Sequence, residues 1–585
     1  MKFNLENKTT ALSIFILLST ILLFPIFKNI DYIGSYDWDQ HFFYNAVPRV
    51  SLLKYHEFPL WNPYYCGGDA MLAHPESSFL SPTYLFILLF GEIIGLKMLV
   101  FLHSVVGMFG MFLLAKYFRL EKYSSYLPPI IFFFSSWFAS RIIVGHTLYL
   151  TLAFLPYVFL YFLKSLKKQQ YIIICAIFLS LIILGGGATY PFLYSLILLF
   201  LYSFFILLKR KKKYPILILF FLIVVASLFS AVKIVPMYFF VKDYSLVQDD
   251  MQPNNFKNLY YSLLSRNQDV GSRVFYSYFN QTQKWYDDGR LINGEVHIKT
   301  IWQWHEYSAY IGIIPVILFL IALIFYFRRY WILLSMSFVF LILFFGDKLI
   351  LWSLIRKIPF LSSLHGPSRF IILFVFILSL IAGRVLSRVE RIKKYSIIAP
   401  IIVLIIFLDL AFISIPLYSE TFDQKMPDLI KKNDDYFQVL AENKFISQYP
   451  NFLQGIGTVN CYERVHPPTA VYPAYDESGN FNKDYLGEVF FAKSLSKVEY
   501  EFSTNKIKAS FDIDKPEIVV LNQNYDEGWK SNSKDVKNFN GLVSTDVGPE
   551  EKEIEFYYLP NSFVIGLIIS LISLISGIVY FIRKR

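Results

Sequence analysis

Residues 11–50 read ALSIFILLSTILLFPIFKNIDYIGSYDWDQHFFYNAVPRV. The first half, from about residue 9 to 28, is an apolar run close to the ~20 residues that a membrane-spanning helix needs. No small-residue cleavage site follows it, so it reads as an anchor and not as a removed signal peptide. The second half is a polar, aromatic loop in which Asp37 and Asp39 flank Trp38. A span that opens directly onto an acidic loop predicts a membrane protein with its chemistry at one face of the bilayer.

Composition extends that reading to the whole chain. Of 585 residues, 55% are hydrophobic, 19% aromatic and only 17% charged, against ~25% charged in an ordinary soluble protein. Sixty Phe and 42 Tyr are too many for the core and surface of a soluble enzyme. Further spans are expected at 96–118, 124–144, 147–163, 170–188, 190–208, 214–235, 308–327, 330–346, 369–387, 395–416 and 561–582. That makes about twelve helices in a polytopic α-helical protein. Segments 83–94 and 348–360 are too short to cross and suit the outer interface.

Charge sets the expected orientation. With Lys2 and Lys8 inside, the inner loops carry Lys116, Arg119 and Lys122, then Lys164, Lys167 and Lys168, then KRKKK at 209–213. Arg328, Arg329, Arg384, Arg388, Arg391, Lys393, Lys394 and the tail Arg583–Arg585 fall on the same side. This is the positive-inside pattern, with both termini cytoplasmic, and not a nucleic-acid surface. The net charge of +11 is uneven, because 418–560 holds 15 Lys and Arg against 24 Asp and Glu.

Three regions are then expected outside, at 29–82, 236–307 and 418–560. The last contains VEYEFST, KIKASFDI, EIVVLNQ and EIEFYYL, which alternate as strands do, with turn signals DEGW and NFNG between them. It predicts a small extracytoplasmic β-sandwich-like domain before the last helix, preceded by a partly helical segment around 427–445. The division is therefore 1–417, a transmembrane domain with two outer loops; 418–560, the β-rich domain; and 561–585, a final helix with a basic tail. Of the three cysteines, Cys66 and Cys461 both lie outside and could pair, although no spacing signals it.

The first loop concentrates reactive side chains, with Asp31, Asp37, Asp39, His41, His56, Asp69, His74 and Glu76 among Trp61 and other aromatics. Extended backbone would let Asp37 and Asp39 share one cation, whereas on a helix they would splay about 200° apart. A carboxylate there suits a general base for a hydroxyl, or a ligand for a divalent cation such as Mg or Mn. His41, Trp61 and His74 are candidate substrate contacts. His305 and Glu306, in IWQWHEYSAYIG, supply another contact and a second acidic group at a helix mouth. Arg369, His365 and Lys233 are the candidate phosphate-binding groups, while Arg141 and His146 frame the end of a third helix. GGGATYP at 185–191 reads as a tight turn. The cytoplasmic loops are too short for a nucleotide domain, so a substrate carried by lipid is the natural expectation.

The runs FPLWNPYYCGGDAMLAHPESSFLSPTYL at 58–85, IPFLSSLHGPSRF at 358–370 and IVVLNQNYDEGWK at 518–530, with the stretch 540–570, resemble the YfhO-like bacterial membrane proteins. That family is similar to the GT-C glycosyltransferases. The resemblance implies transfer of a sugar from a polyprenyl-phosphate donor to a cell-envelope acceptor, such as a teichoic-acid-type polymer, a polysaccharide or a glycolipid. It implies Asp37 or Asp39 as the catalytic acidic residue and Glu306 as a second. The chain departs from the pattern at His365-Gly366, where relatives commonly show Phe-Arg, and at Lys233, where a neutral polar residue is expected. Two other readings compete with it. A lipid-linked sugar flippase would place polar residues at mid-bilayer, and an envelope scaffold would depend on 418–560 and not on Asp37 and Asp39.

Overall fold

Apolar helices, not loops, occupy most of the chain. The computed structural model describes residues 7–242, 254–269, 275–277, 298–300, 303–358, 361, 364, 366–426, 437–440, 447–460, 470–476 and 480–584. Among these, nine helices are long and apolar enough to cross a membrane, and a tenth would be the pair Tyr214–Phe229 and Ala231–Lys242, bent by 88°. Two shorter apolar helices, Tyr171–Gly187 and Ile313–Phe325, lie at the remaining expected positions. The protein is thus a mostly helical, multi-pass membrane protein with a β-rich C-terminal domain.

The first helix, Lys8–Lys28, is capped by Asn7, whose side chain accepts from the Thr9 amide. It packs against Pro82–Tyr117 and Lys393–Ser419. Pro82–Tyr117 begins earlier than the expected 96–118 because its first turns double back. The break is Gly91, at φ 78° and ψ 169°, and Gly95 then packs directly on the backbone of Ile87.

The helical stretch Ser124–Ile143, wholly buried, is interrupted at Ser135, which is extended. Broken backbone inside a bilayer must find partners within the protein. Ser414 Oγ donates to the freed Phe134 carbonyl at 2.6 Å. The Tyr310 amide donates to Ser136 Oγ at 2.6 Å, and the Ser136 amide to the Tyr310 carbonyl at 3.3 Å. The segment around Tyr310 therefore plugs the break. That is why the following helix starts only at Ile313.

The β-rich region holds two four-stranded sheets. One runs in the order 537–539, 542–547, 517–524, 489–491, and the other 529–531, 553–558, 506–510, 499–502. Alternate residues such as Ile507 and Ala509, or Ile554 and Phe556, are buried between the sheets, as period-two patterning requires. The segment expected to be helical at 427–445 falls mostly outside the described residues; its described part includes the strand Phe437–Val439, and a helix comes later at Gln448–Leu453. The last helix, Asn561–Lys584, packs on Ala231–Lys242, where Ser570 Oγ accepts from the Val232 amide at 2.8 Å.

Candidate active site

The first loop is not extended. Trp38–Leu53 is a helix, with Asp37 at its N-cap, and the two carboxylates consequently part. Asp37 Oδ2 lies 3.0 Å from His146 Nε2. Asp39 turns the other way and is 7% exposed. It accepts the backbone amides of Gln448 at 2.9 Å and Tyr449 at 3.2 Å, at the start of the Gln448–Leu453 helix. The two aspartates do not share a cation, because helical backbone splays positions two apart.

His146 links Asp37 to a buried ionic cluster. Its Nδ1 is 3.0 Å from an Arg141 terminal nitrogen. A guanidinium can only donate, so Nδ1 is the acceptor and the ring proton sits on Nε2, facing Asp37. Arg141 also reaches Glu306 Oε2 at 2.8 Å. Arg369 grips the same carboxylate in a bidentate fork, Nε to Oε2 at 2.6 Å and a terminal nitrogen to Oε1 at 2.7 Å. His305 Nε2 lies 3.3 Å from Glu306 Oε1, and its ring meets that of His146 edge-on at 5.0 Å. Arg369 lies over the Tyr190 ring and Arg141 over that of Tyr149.

These contacts set the protonation states. Burial pushes Asp37 up, but the hydrogen bond from His146 and the attraction of His146, His41 and His305 together outweigh it and leave the carboxyl below its ordinary value. Burial would also raise Glu306, yet the two guanidiniums hold it well below the usual range. Burial lowers His305 to about 4, so its ring is neutral. Asp39, with no cation beside it among the described residues, is pushed by burial up to about 6 despite its two amide donors.

His41 joins the site from the same helix as Asp37. Its Nδ1 is 2.9 Å from Thr147 Oγ1 and its Nε2 3.8 Å from Glu76. Lys233 and Trp61, also expected here, serve the architecture. Lys233 donates to the carbonyls of Leu72, His74 and Ser77 at 2.9, 2.5 and 3.1 Å, so its ammonium fastens the first loop and does not face a phosphate. Trp61 is buried, donates from Nε1 to Gln523 Oε1 at 3.0 Å and packs on Trp529 and Tyr558. It pins the first loop to the β-rich domain and is not open to a substrate. His74 lies beside Tyr44, 3.3 Å from its hydroxyl. Arg369 is committed to Glu306, and His365 lies outside the described residues. Cys66 is disulfide-bonded, Cys175 is a buried free thiol, and Cys461 lies outside the described residues.

A divalent cation does not fit these side chains. His146, His305 and Glu306 bring ligand atoms within 4.8 Å of one another. Both Glu306 oxygens already accept from guanidiniums, however, and His146 offers its lone pair to Arg141. Two positive groups stand where a cation would need donors.

Arg141 and His146 are the central residues that loop-centred reasoning left at the margin. Their signal was present: an arginine inside an apolar span is costly and marks function. The spans they end are remote in sequence from Asp37.

No family model matches the chain, and no curated relative does. Two solved structures resemble its overall arrangement. The Archaeoglobus fulgidus oligosaccharyltransferase in its apo form has a TM-score of 0.44 at 12% identity, covering 78% of this chain and 64% of that one. The Archaeoglobus fulgidus oligosaccharyltransferase AglB in complex with an inhibitory peptide and a dolichol-phosphate has a TM-score of 0.47 at 12% identity, with the same coverage. The chain spans 64% of the length of both.

Proposed function

We propose that the protein is a membrane glycosyltransferase that moves a sugar from a polyprenyl-phosphate donor to a hydroxyl of a cell-envelope acceptor, on the outer side of a multi-pass bundle. The observation that carries this reading is Asp37, an ionised carboxylate 22% exposed at the mouth of a buried Arg141–Glu306–Arg369 cluster. In this reading about twelve helices cross the bilayer, both termini are cytoplasmic, and residues 418–560 form the outer domain.

Asp37 accepts the proton of the acceptor hydroxyl as its oxygen attacks the anomeric carbon. The bond from that carbon to the phosphate oxygen breaks, and polyprenyl phosphate leaves. A single displacement inverts the configuration. His146 holds the carboxylate in place through its Nε2 proton and keeps it ionised. The two guanidiniums and one carboxylate beneath leave one net positive charge to favour the departing phosphate. No step uses a metal ion.

The test is transfer in proteoliposomes carrying a radiolabelled polyprenyl-phosphate hexose, with an envelope extract as acceptor. Label reaching the acceptor with wild type but not with Asp37→Asn supports the transferase. Label crossing the bilayer while still attached to lipid would replace it with a flippase.

A further inference from the structure

Away from the reaction centre, a second charged group faces the apolar surface of the bundle. Arg266 follows the short helix Phe256–Leu264, and its side chain is 66% exposed. One terminal nitrogen lies 2.5 Å from Asp409 Oδ1, and Tyr310 donates to Asp409 Oδ2 at 2.8 Å. The guanidinium stands 5.8 Å from the centre of the Phe412 ring. Its surroundings include the exposed side chains of Ile313, Leu408 and Phe412, a surface suited to lipid chains.

The depth of this group follows from helix lengths. Ile313–Phe325 has 13 residues, about 20 Å at 1.5 Å per residue, against a hydrocarbon core of about 30 Å. Asp409 lies within Lys393–Ser419, about 15 Å short of its Ser419 end. Arg266 therefore sits below the level where that long helix ends, beside the start of the short one. A largely open guanidinium at such a depth is costly unless anions meet it, and Asp409 supplies one of them. Asp409 spends one oxygen on Tyr310 and one on Arg266, so it holds the guanidinium in place and leaves much of the planar fork open. A soluble anion would have to leave water to reach this collar, whereas a lipid phosphate arrives from the bilayer itself.

The position also leads to the site. Tyr310, whose hydroxyl holds Asp409, is bonded through its backbone to Ser136, on the helix that carries Arg141. The segment of Tyr310 follows directly on the short 3-10 helix Trp304–Glu306, which carries Glu306.

We infer that Arg266, held by Asp409 and Tyr310, is a lateral docking site for a lipid phosphate on its way to or from the Asp37 centre. This rests on the lipid-linked donor reading only for its biological use, because binding is measured without turnover. The experiment uses full-length wild type and R266Q in phosphatidylcholine nanodiscs, labelled with a photoreactive polyprenyl monophosphate. R266Q is expected to lose roughly fivefold or more of the labelling at subsaturating probe, with R266K in between because it keeps the charge and loses the fork. D409N, which lets the guanidinium wander, is expected to weaken labelling as well. Excess phosphatidylglycerol separates the sources: labelling that persists assigns the site to the polyprenyl lipid, and labelling that is displaced assigns it to bulk anionic phospholipid. Equal labelling of R266Q and wild type, with matching melting profiles, overturns the site. Displacement by inorganic phosphate as effective as by phosphatidylglycerol overturns its restriction to lipid.

Discussion

His146 donates its Nε2 proton to Asp37 across 3.0 Å, because Arg141 occupies the other ring nitrogen at 3.0 Å. The pair gives Asp37 a carboxyl that stays ionised below its ordinary titration range. The acid limb of transfer activity should accordingly fall below pH about 4, the ordinary carboxylate value. His146→Ala removes the donor and leaves burial opposed only by His41 and His305, so the limb should move to higher pH. Asp37→Asn should cost roughly a hundredfold or more at every pH. An unmoved acid limb in His146→Ala would detach the histidine from the mechanism.

Asp39, two residues away, should behave differently. Its carboxylate caps the Gln448–Leu453 helix, so Asp39→Ala should lower the melting temperature, at a cost of about 1–3 kcal/mol for the two orphaned amides. Its pKa is raised from 3.8 to about 6. A buried carboxylate of this kind favours the fold while protonated, and that contribution is lost as pH rises from about 4 to about 6. Asp39→Asn, which keeps an acceptor oxygen but never ionises, should flatten this part of the stability profile. Melting curves across the interval read it directly.

Glu306 pairs with two buried guanidiniums at once. Glu306→Gln leaves both without a carboxylate and should destabilise the protein by about 3–5 kcal/mol. The double variant with Arg369→Met should recover part of that loss, since it removes one of the stranded charges. Denaturation in detergent, run as a double-mutant cycle, measures the coupling.

Chelation should leave transfer unchanged. Both Glu306 oxygens and the His146 lone pair are already spent on arginines, and Asp39 faces backbone amides. Transfer rates with and without chelator, together with melting curves with and without added manganese, check this. A rise in melting temperature with manganese would locate donors that these contacts leave free.

Trp61 fixes the first loop to the β-rich domain through Gln523, Trp529 and Tyr558. Trp61→Ala should cost about 3–5 kcal/mol and increase protease sensitivity around residues 500–560. Its effect on transfer should come through stability, with little change in donor KM for the protein that remains folded.

Local patterns determined much of this protein. Apolar runs of membrane-spanning length, basic clusters at alternate loops and period-two strands after residue 498 are set by solvation of each segment in water or lipid, and these read directly from the chain. The richness of the first loop was legible for the same reason. Which of its residues face one another was not. Asp37 finds His146, Asp39 finds the amides of Gln448 and Tyr449, and Lys233 finds three loop carbonyls only because helices far apart in sequence pack together. The local helix that begins at Trp38 separates two aspartates that look like a pair on paper. Tertiary packing then decided the partner each one found, because a buried charge takes whichever partner the fold brings within hydrogen-bonding distance.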